Sequence, residues 1–155
     1  MECKVESKIG VTLLVLAAFI AMATAIAHMS CIFLGPECYS AQMAPSIIVE
    51  SAINGTYLAP VGTVIASSIF AVLGLYALSG AGVIRKLPLL KYVIYVVATL
   101  CIIRGILPLQ LWLRHPDKVN DIVFYTGIVW FLTGLLFLFG YRLCSSNSHV
   151  MKRTH

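Results

Sequence analysis

Four apolar stretches, 9–29, 58–79, 92–112 and 121–143, fix what this chain can become. A hydrocarbon core of about 30 Å is crossed by about 20 helical residues. Inside it every backbone N–H and C=O must find a partner within the protein, which a helix provides segment by segment. The sequence therefore predicts an all-α integral membrane protein, a bundle of four transmembrane helices in one membrane domain, 1–155. Composition agrees: 60% of the residues are hydrophobic and 11% charged, against about 25% charged in soluble domains. The net charge of +5 does not point to nucleic acid, because the basic residues sit in short runs beside the apolar stretches, as orientation signals do.

The first stretch follows a short head carrying Lys4 and Lys8, and an Ala-x-Ala pattern spans Ala23 to Ala27. This imitates a secretory signal, but the apolar run exceeds a signal core, and it is expected to be kept as a first crossing. Ala17, Ala21 and Ala25 stand one helical turn apart and suit close helix contact. The same holds for Ser67, Ser68, Ala71 and Gly74 in the second stretch. In the fourth, Gly127 and Gly134 share a face with Trp130 between them.

The connections are 30–57, 80–91 and 113–120, and a polar tail covers 144–155. In the first, Gly35-Pro36 signals a turn, and Ile47, Ile48, Val49 and Ile53 suggest a short helix on the bundle or in the interface. Asn54-Gly55-Thr56 matches the glycosylation pattern, a weak signal so close to a membrane. Four crossings place both termini on one side. That side holds Lys4, Lys8, Arg85, Lys86, Lys91, Arg142, Lys152 and Arg153; the other holds Arg114 and Lys118. The positive-inside rule then puts both termini in the cytoplasm, with the bacterial inner membrane as the expected location. Tyr57 and Trp112 mark the outer interface, Tyr92 and Tyr141 the inner one.

Arg104 is the charge inside the third crossing. A guanidinium there costs about 2.5 to 3.5 kcal/mol on insertion scales, and intramembrane ionisable residues are candidate functional sites for that reason. Gly105 follows, and Pro108 cannot donate to the carbonyl four residues back, which is that of Arg104. Gln110 adds an amide. Glu50, in an apolar neighbourhood, is the acid expected to partner Arg104, with Asp121 the rival, although an acid opening a helix also complements its dipole. His28 is a further lining residue. The expected ligand site is thus an outward pocket of Arg104, Gln110, Glu50 and His28. Arginine would hold a carboxylate or phosphate through paired hydrogen bonds. The ligand class is anionic or amphipathic, a lipid or quinone headgroup. No catalytic residue is assigned, and His28, Cys31 and His115 lack metal-ligand spacing.

On this threading Cys31 and Cys38 face an oxidising space, where a structural disulfide is expected to tie the outer loop between helices 1 and 2. Cys3 and Cys144 face the reducing side, and Cys101 lies in the third crossing. The layout resembles that of the four-helix quinone-linked disulfide oxidases in size, termini inside, cysteines outside and an arginine towards the outer leaflet. Those enzymes carry a Cys-x-x-Cys and a second cysteine pair, and this chain has neither. Three functional classes follow. One is binding or transport of the ligand, with dimerisation expected of so small a transporter. The second is a non-catalytic assembly subunit of a larger membrane complex. The third is a thiol-redox or lipid-modifying enzyme.

Overall fold

A computed structural model describes residues 8–114 and 121–150, with side chains of the last helix described as far as Ser145. Lys4, Cys3, His115, Lys118, Lys152 and Arg153, all used above, lie outside the described residues. The elements run α1 (Lys8–Leu34), α2 (Pro36–Ala41), α3 (Ser46–Ile53), α4 (Leu58–Gly80), α5 (Leu90–Arg114) and α6 (Asp121–Val150). α1, α4, α5 and α6 are each long and apolar enough to cross a membrane. The protein is all-α and reads as an integral membrane protein. α1 extends beyond the expected 9–29 and takes in Cys31, which sequence patterning had placed in the loop. α6 likewise continues beyond 143 to Val150. Neither extension, 30–34 or 144–150, contains a glycine or proline to break the helix.

The chain divides into two compact units, Phe19–Gly74 and a second made of Met1–Ala18 with Leu75–His155. In the latter, α5 and α6 meet through glycines. A Cβ placed at Gly105 would fall 2.6 Å from the Phe131 backbone nitrogen. One at Gly134 would fall 2.9 Å from the Ala98 carbonyl oxygen, and one at Gly127 would fall 3.1 Å from the Pro108 ring. Small residues let two backbones come this close, so that dispersion replaces the missing hydrophobic drive between helices in lipid. The ring of Pro108, within α5, thus seats on Gly127. α1 meets α6 in the same manner: a Cβ at Gly10 would lie 3.0 Å from the Gly140 carbonyl oxygen, and one at Gly140 would lie 3.2 Å from the Gly10 carbonyl oxygen. Tyr95 and Tyr141 meet edge to face at 5.8 Å.

The link from α4 to α5 is held by its own side chains. Buried Ser79 donates to the Arg85 carbonyl at 3.0 Å and accepts from the Leu87 amide at 2.9 Å. The Tyr76 hydroxyl donates to the Pro88 carbonyl at 3.2 Å. α4 stops in a Schellman motif: the Val83 amide reaches the Leu78 carbonyl, the Gly82 amide reaches that of Ser79, and Gly82 takes φ +76. A left-handed residue at that position suits glycine, which has no Cβ to clash.

In the unit Phe19–Gly74, the connection expected as a loop is largely helical. The Gly35-Pro36 pair turns the chain, since Gly35 sits at φ +80, but Pro36 also opens α2. Proline suits a first helical position, where its missing N–H would have had no partner. α2 ends in a Schellman motif with Met43 at φ +55. α3 ends in another, with Gly55 at φ +64 and the Thr56 amide on the Ser51 carbonyl at 2.9 Å. The expected short helix at Ile47 to Ile53 is α3. Its inner face, Ile48, Val49 and Ala52, packs on a cluster of Cys31, Tyr39 and Ala59, joined by Cys38 and Ala44. The two short helices therefore have a core of their own.

Candidate functional site

Each predicted site residue can be placed within its own unit. Arg104 lies on α5, ten residues short of Arg114, so about 15 Å from that end of the helix at 1.5 Å per residue. Its side chain is exposed, and among the described residues it makes neither a hydrogen bond nor an ion pair. Gln110 is exposed too and likewise without a described side-chain partner. Six residues apart on one helix, the two point about 120° away from each other. The nearby cavity, of about 90 Å³, opens on another side of α5 and is lined by Gly105, Ile106, Leu109, Phe124, Ile128 and Phe131. Its lining side chains are all apolar, and ligand pockets for drug-sized molecules run from roughly 300 Å³ upwards.

Glu50 and His28 belong to the unit Phe19–Gly74. The Glu50 carboxylate is exposed on α3, between exposed Ile47 and Ile53. It escapes the desolvation that its apolar neighbours suggested, because α3 turns that face away from the core. His28 is half-buried; its Nδ1 lies 3.0 Å from the Thr24 carbonyl oxygen and its ring 5.0 Å from that of Phe70. No described contact joins His28 to Glu50.

Cys31 and Cys38 form a disulfide between α1 and α2, with Cα atoms 5.1 Å apart. Cys31 is buried and Cys38 half-buried. Beside them the Gln42 amide donates to the Ala27 carbonyl at 2.6 Å. Cys101 is buried and Cys144 half-buried, both as thiols. Among the described residues no group of three or more His, Cys, Asp or Glu is placed to hold a metal ion.

Sequence reasoning gave no role to a polar seam that the fold assembles here. The Thr63 hydroxyl donates to the Ala59 carbonyl at 2.7 Å and lies 3.1 Å from the hydroxyl of buried Tyr39. Ser51 accepts from the Ala59 amide at 2.9 Å, and its hydroxyl and that of Thr56 are 2.6 Å apart. Ser67, one turn beyond Thr63, is buried with no partner for its hydroxyl among the described residues. The signal was present in Thr63 and Ser67, four residues apart in an apolar run, but their mates lie in the connection, which no helical period reveals.

No protein-family model, curated protein or solved structure matches this chain.

Proposed function

We propose that this protein is a non-catalytic subunit that assembles with another membrane protein, Arg104 meeting a carboxylate on a partner helix. The observation that carries this is the exposure of Arg104 within α5 without a described partner. None of α1, α4 and α5 contains an acid, and α6 has only Asp121, at its first residue. A guanidinium at that depth costs a few kcal/mol unless paired, and an acid on a second helix removes most of that cost while fixing register. In this reading both termini face the cytoplasm, as the distribution of basic residues suggests, and the host is a plasma membrane.

The experiment is purification from native membranes in mild detergent, wild type beside Arg104→Leu. A stoichiometric larger partner held by the wild type and lost from the variant is the expected result. A lone monomer or homodimer in both cases, or an unchanged partner, overturns the reading. Because Arg104 is exposed, the leucine variant leaves the fold intact, and an unshifted melting temperature verifies that.

A second reading draws on the same exposure. The guanidinium can snorkel along the helix towards a headgroup, so Arg104 by itself would hold an anionic lipid or quinone-type ligand. Co-purified lipid that disappears with Arg104→Leu, without any protein partner, favours it.

A further inference from the structure

Four cations gather at the end of the bundle where α4 turns into α5. Arg85 and Lys86 lie in the link and Lys91 in the first turn of α5. Arg142, on α6, joins them at this level. Its neighbour Tyr141 meets Tyr95 edge to face, and the Tyr141 Cδ2 lies 3.6 Å from where a Cβ of Gly80 would stand. All four side chains are exposed, and among the described residues none has an ion-pair or hydrogen-bond partner. No acid occurs in the sequence from Ser51 to Arg114 or after Asp121. Asp121 opens α6, at the opposite end of that helix from Arg142.

The link is built as well as basic. The hydroxyl of buried Ser79 binds the Arg85 carbonyl and the Leu87 amide, so the backbone is gripped on both sides of Lys86. The Tyr76 hydroxyl holds the Pro88 carbonyl beyond it. A backbone fixed in advance lowers the entropy that a ligand must remove to bind. Orientation in a membrane asks only that cations be present on one side; it does not ask for this framework.

Depth names the occupant. α4 with 23 residues and α5 with 25 are about 35 and about 37 Å long, against a hydrocarbon core of about 30 Å. Gly80 and Leu90, the ends that the link joins, therefore stand at the level of the headgroups. Apolar side chains alternate with the cations there: Val83 is 59%, Leu89 70% and Tyr92 69% exposed. A soluble acidic protein would meet the charges but leave these side chains in water. A phospholipid meets both, phosphate to cation and acyl chain to the apolar groups. Guanidinium matches a phosphate through paired hydrogen bonds, and an ammonium adds a point charge.

We infer that the α4–α5 link is a binding site for the phosphate of an anionic phospholipid, with Arg85 and Lys86 as its main contacts and Lys91 and Arg142 at its rim. This site is separate from Arg104, fourteen residues into α5, and stands whichever reading of Arg104 holds.

The test uses the full-length chain in a neutral maltoside detergent with equal amounts of phosphatidylcholine and phosphatidylglycerol, the retained lipids being counted by native mass spectrometry. The wild type is expected to keep phosphatidylglycerol in preference, less so as salt rises. Arg85→Gln and Lys86→Gln should each lower the preference about fivefold, the scale of one basic residue beside an anionic headgroup. Ser79→Ala keeps every charge but releases the link, and should lower it by about threefold. Arg114→Gln, at the far end of α5, and Arg104→Leu should change it less than about twofold. No preference in the wild type overturns the inference, and so does one that survives Arg85→Gln with Lys86→Gln. An equal loss in Arg114→Gln means diffuse charge attraction, and a loss confined to Arg104→Leu assigns the lipid to that residue; either overturns the site, as does an unchanged preference in Ser79→Ala. Inorganic phosphate probes for a soluble ligand: at matched ionic strength it should displace no more lipid than chloride does. Specific displacement by phosphate, or an acidic protein that co-purifies and is lost with Arg85→Gln, overturns the lipid as occupant.

Discussion

Gly105 and Phe131 stand backbone to backbone across α5 and α6: a Cβ at Gly105 would lie 2.6 Å from the Phe131 nitrogen and 2.7 Å from its Cα. Neither atom can move without its helix. Gly105→Ala is expected to force the pair apart at a cost of about 1 to 3 kcal/mol, the usual range for overpacking. Gly80 is the comparison. Its Cβ would come within 2.8 Å of the Ile94 Cδ1, but that atom ends a side chain that can turn aside. Thermal unfolding in detergent should show Gly105→Ala clearly destabilised and Gly80→Ala much less. Equal shifts would contradict this seam.

Gly10 and Gly140 oppose each other reciprocally, each facing the other's carbonyl oxygen. Gly10→Ala and Gly140→Ala therefore disturb one and the same contact. Once either has spread α1 from α6, the other has room. The double variant should cost less than the sum of the singles by about 0.5 kcal/mol or more, as a double-mutant cycle reads it. Strict additivity would mean that the two helices do not cross there.

Tyr39 and Thr63 make an unequal pair. Tyr39→Phe leaves the Thr63 hydroxyl its bond to the Ala59 carbonyl, so the loss should be about 1 kcal/mol. Thr63→Val instead strands the hydroxyl of Tyr39, which is only 6% exposed, and should cost about 1 to 3 kcal/mol. Denaturation of the two variants in the same detergent gives the order directly; the reverse order would discard the seam.

Ser67 is predicted to behave in the opposite sense. Its hydroxyl is buried and without a described partner, so Ser67→Ala removes a desolvated group and loses no bond. The melting temperature should hold or rise. A marked fall would show that a water or another group serves that oxygen.

The disulfide closes a short loop, with a separation of seven residues. Loop-entropy reasoning gives it about 2 kcal/mol, so Cys31→Ser with Cys38→Ser should lower stability by about that amount. Alkylation followed by mass measurement tests its character. A structural staple stays unlabelled in mild reductant, whereas a redox-active pair would open and label at once.

What could be read beforehand follows from the solvent. Length and apolarity announce a membrane helix, so α1, α4, α5 and α6 were legible, and so was α3 from its isoleucines. α2 was not, because Gly35-Pro36 reads equally as a turn and as a helix start. Gly127 and Gly134 stood out by their spacing. Gly105 was noticed only as the neighbour of Arg104, and the pair Gly10 and Gly140 not at all, since a small residue in a chain rich in small residues does not say which helix it meets. The exposure of Arg104 was illegible for a related reason. In lipid the outward face of a helix is as apolar as the inward one, so periodicity carries little information about which way a residue points.

Cys31 and Cys38 lie on either side of the Gly35-Pro36 corner. A protease that nicked the chain at that corner would therefore release nothing: the two pieces would still travel as one molecule. The damage would show as a pair of fragments only on a gel run with reductant, and an intact band on an ordinary gel is no proof of an unbroken backbone in this protein.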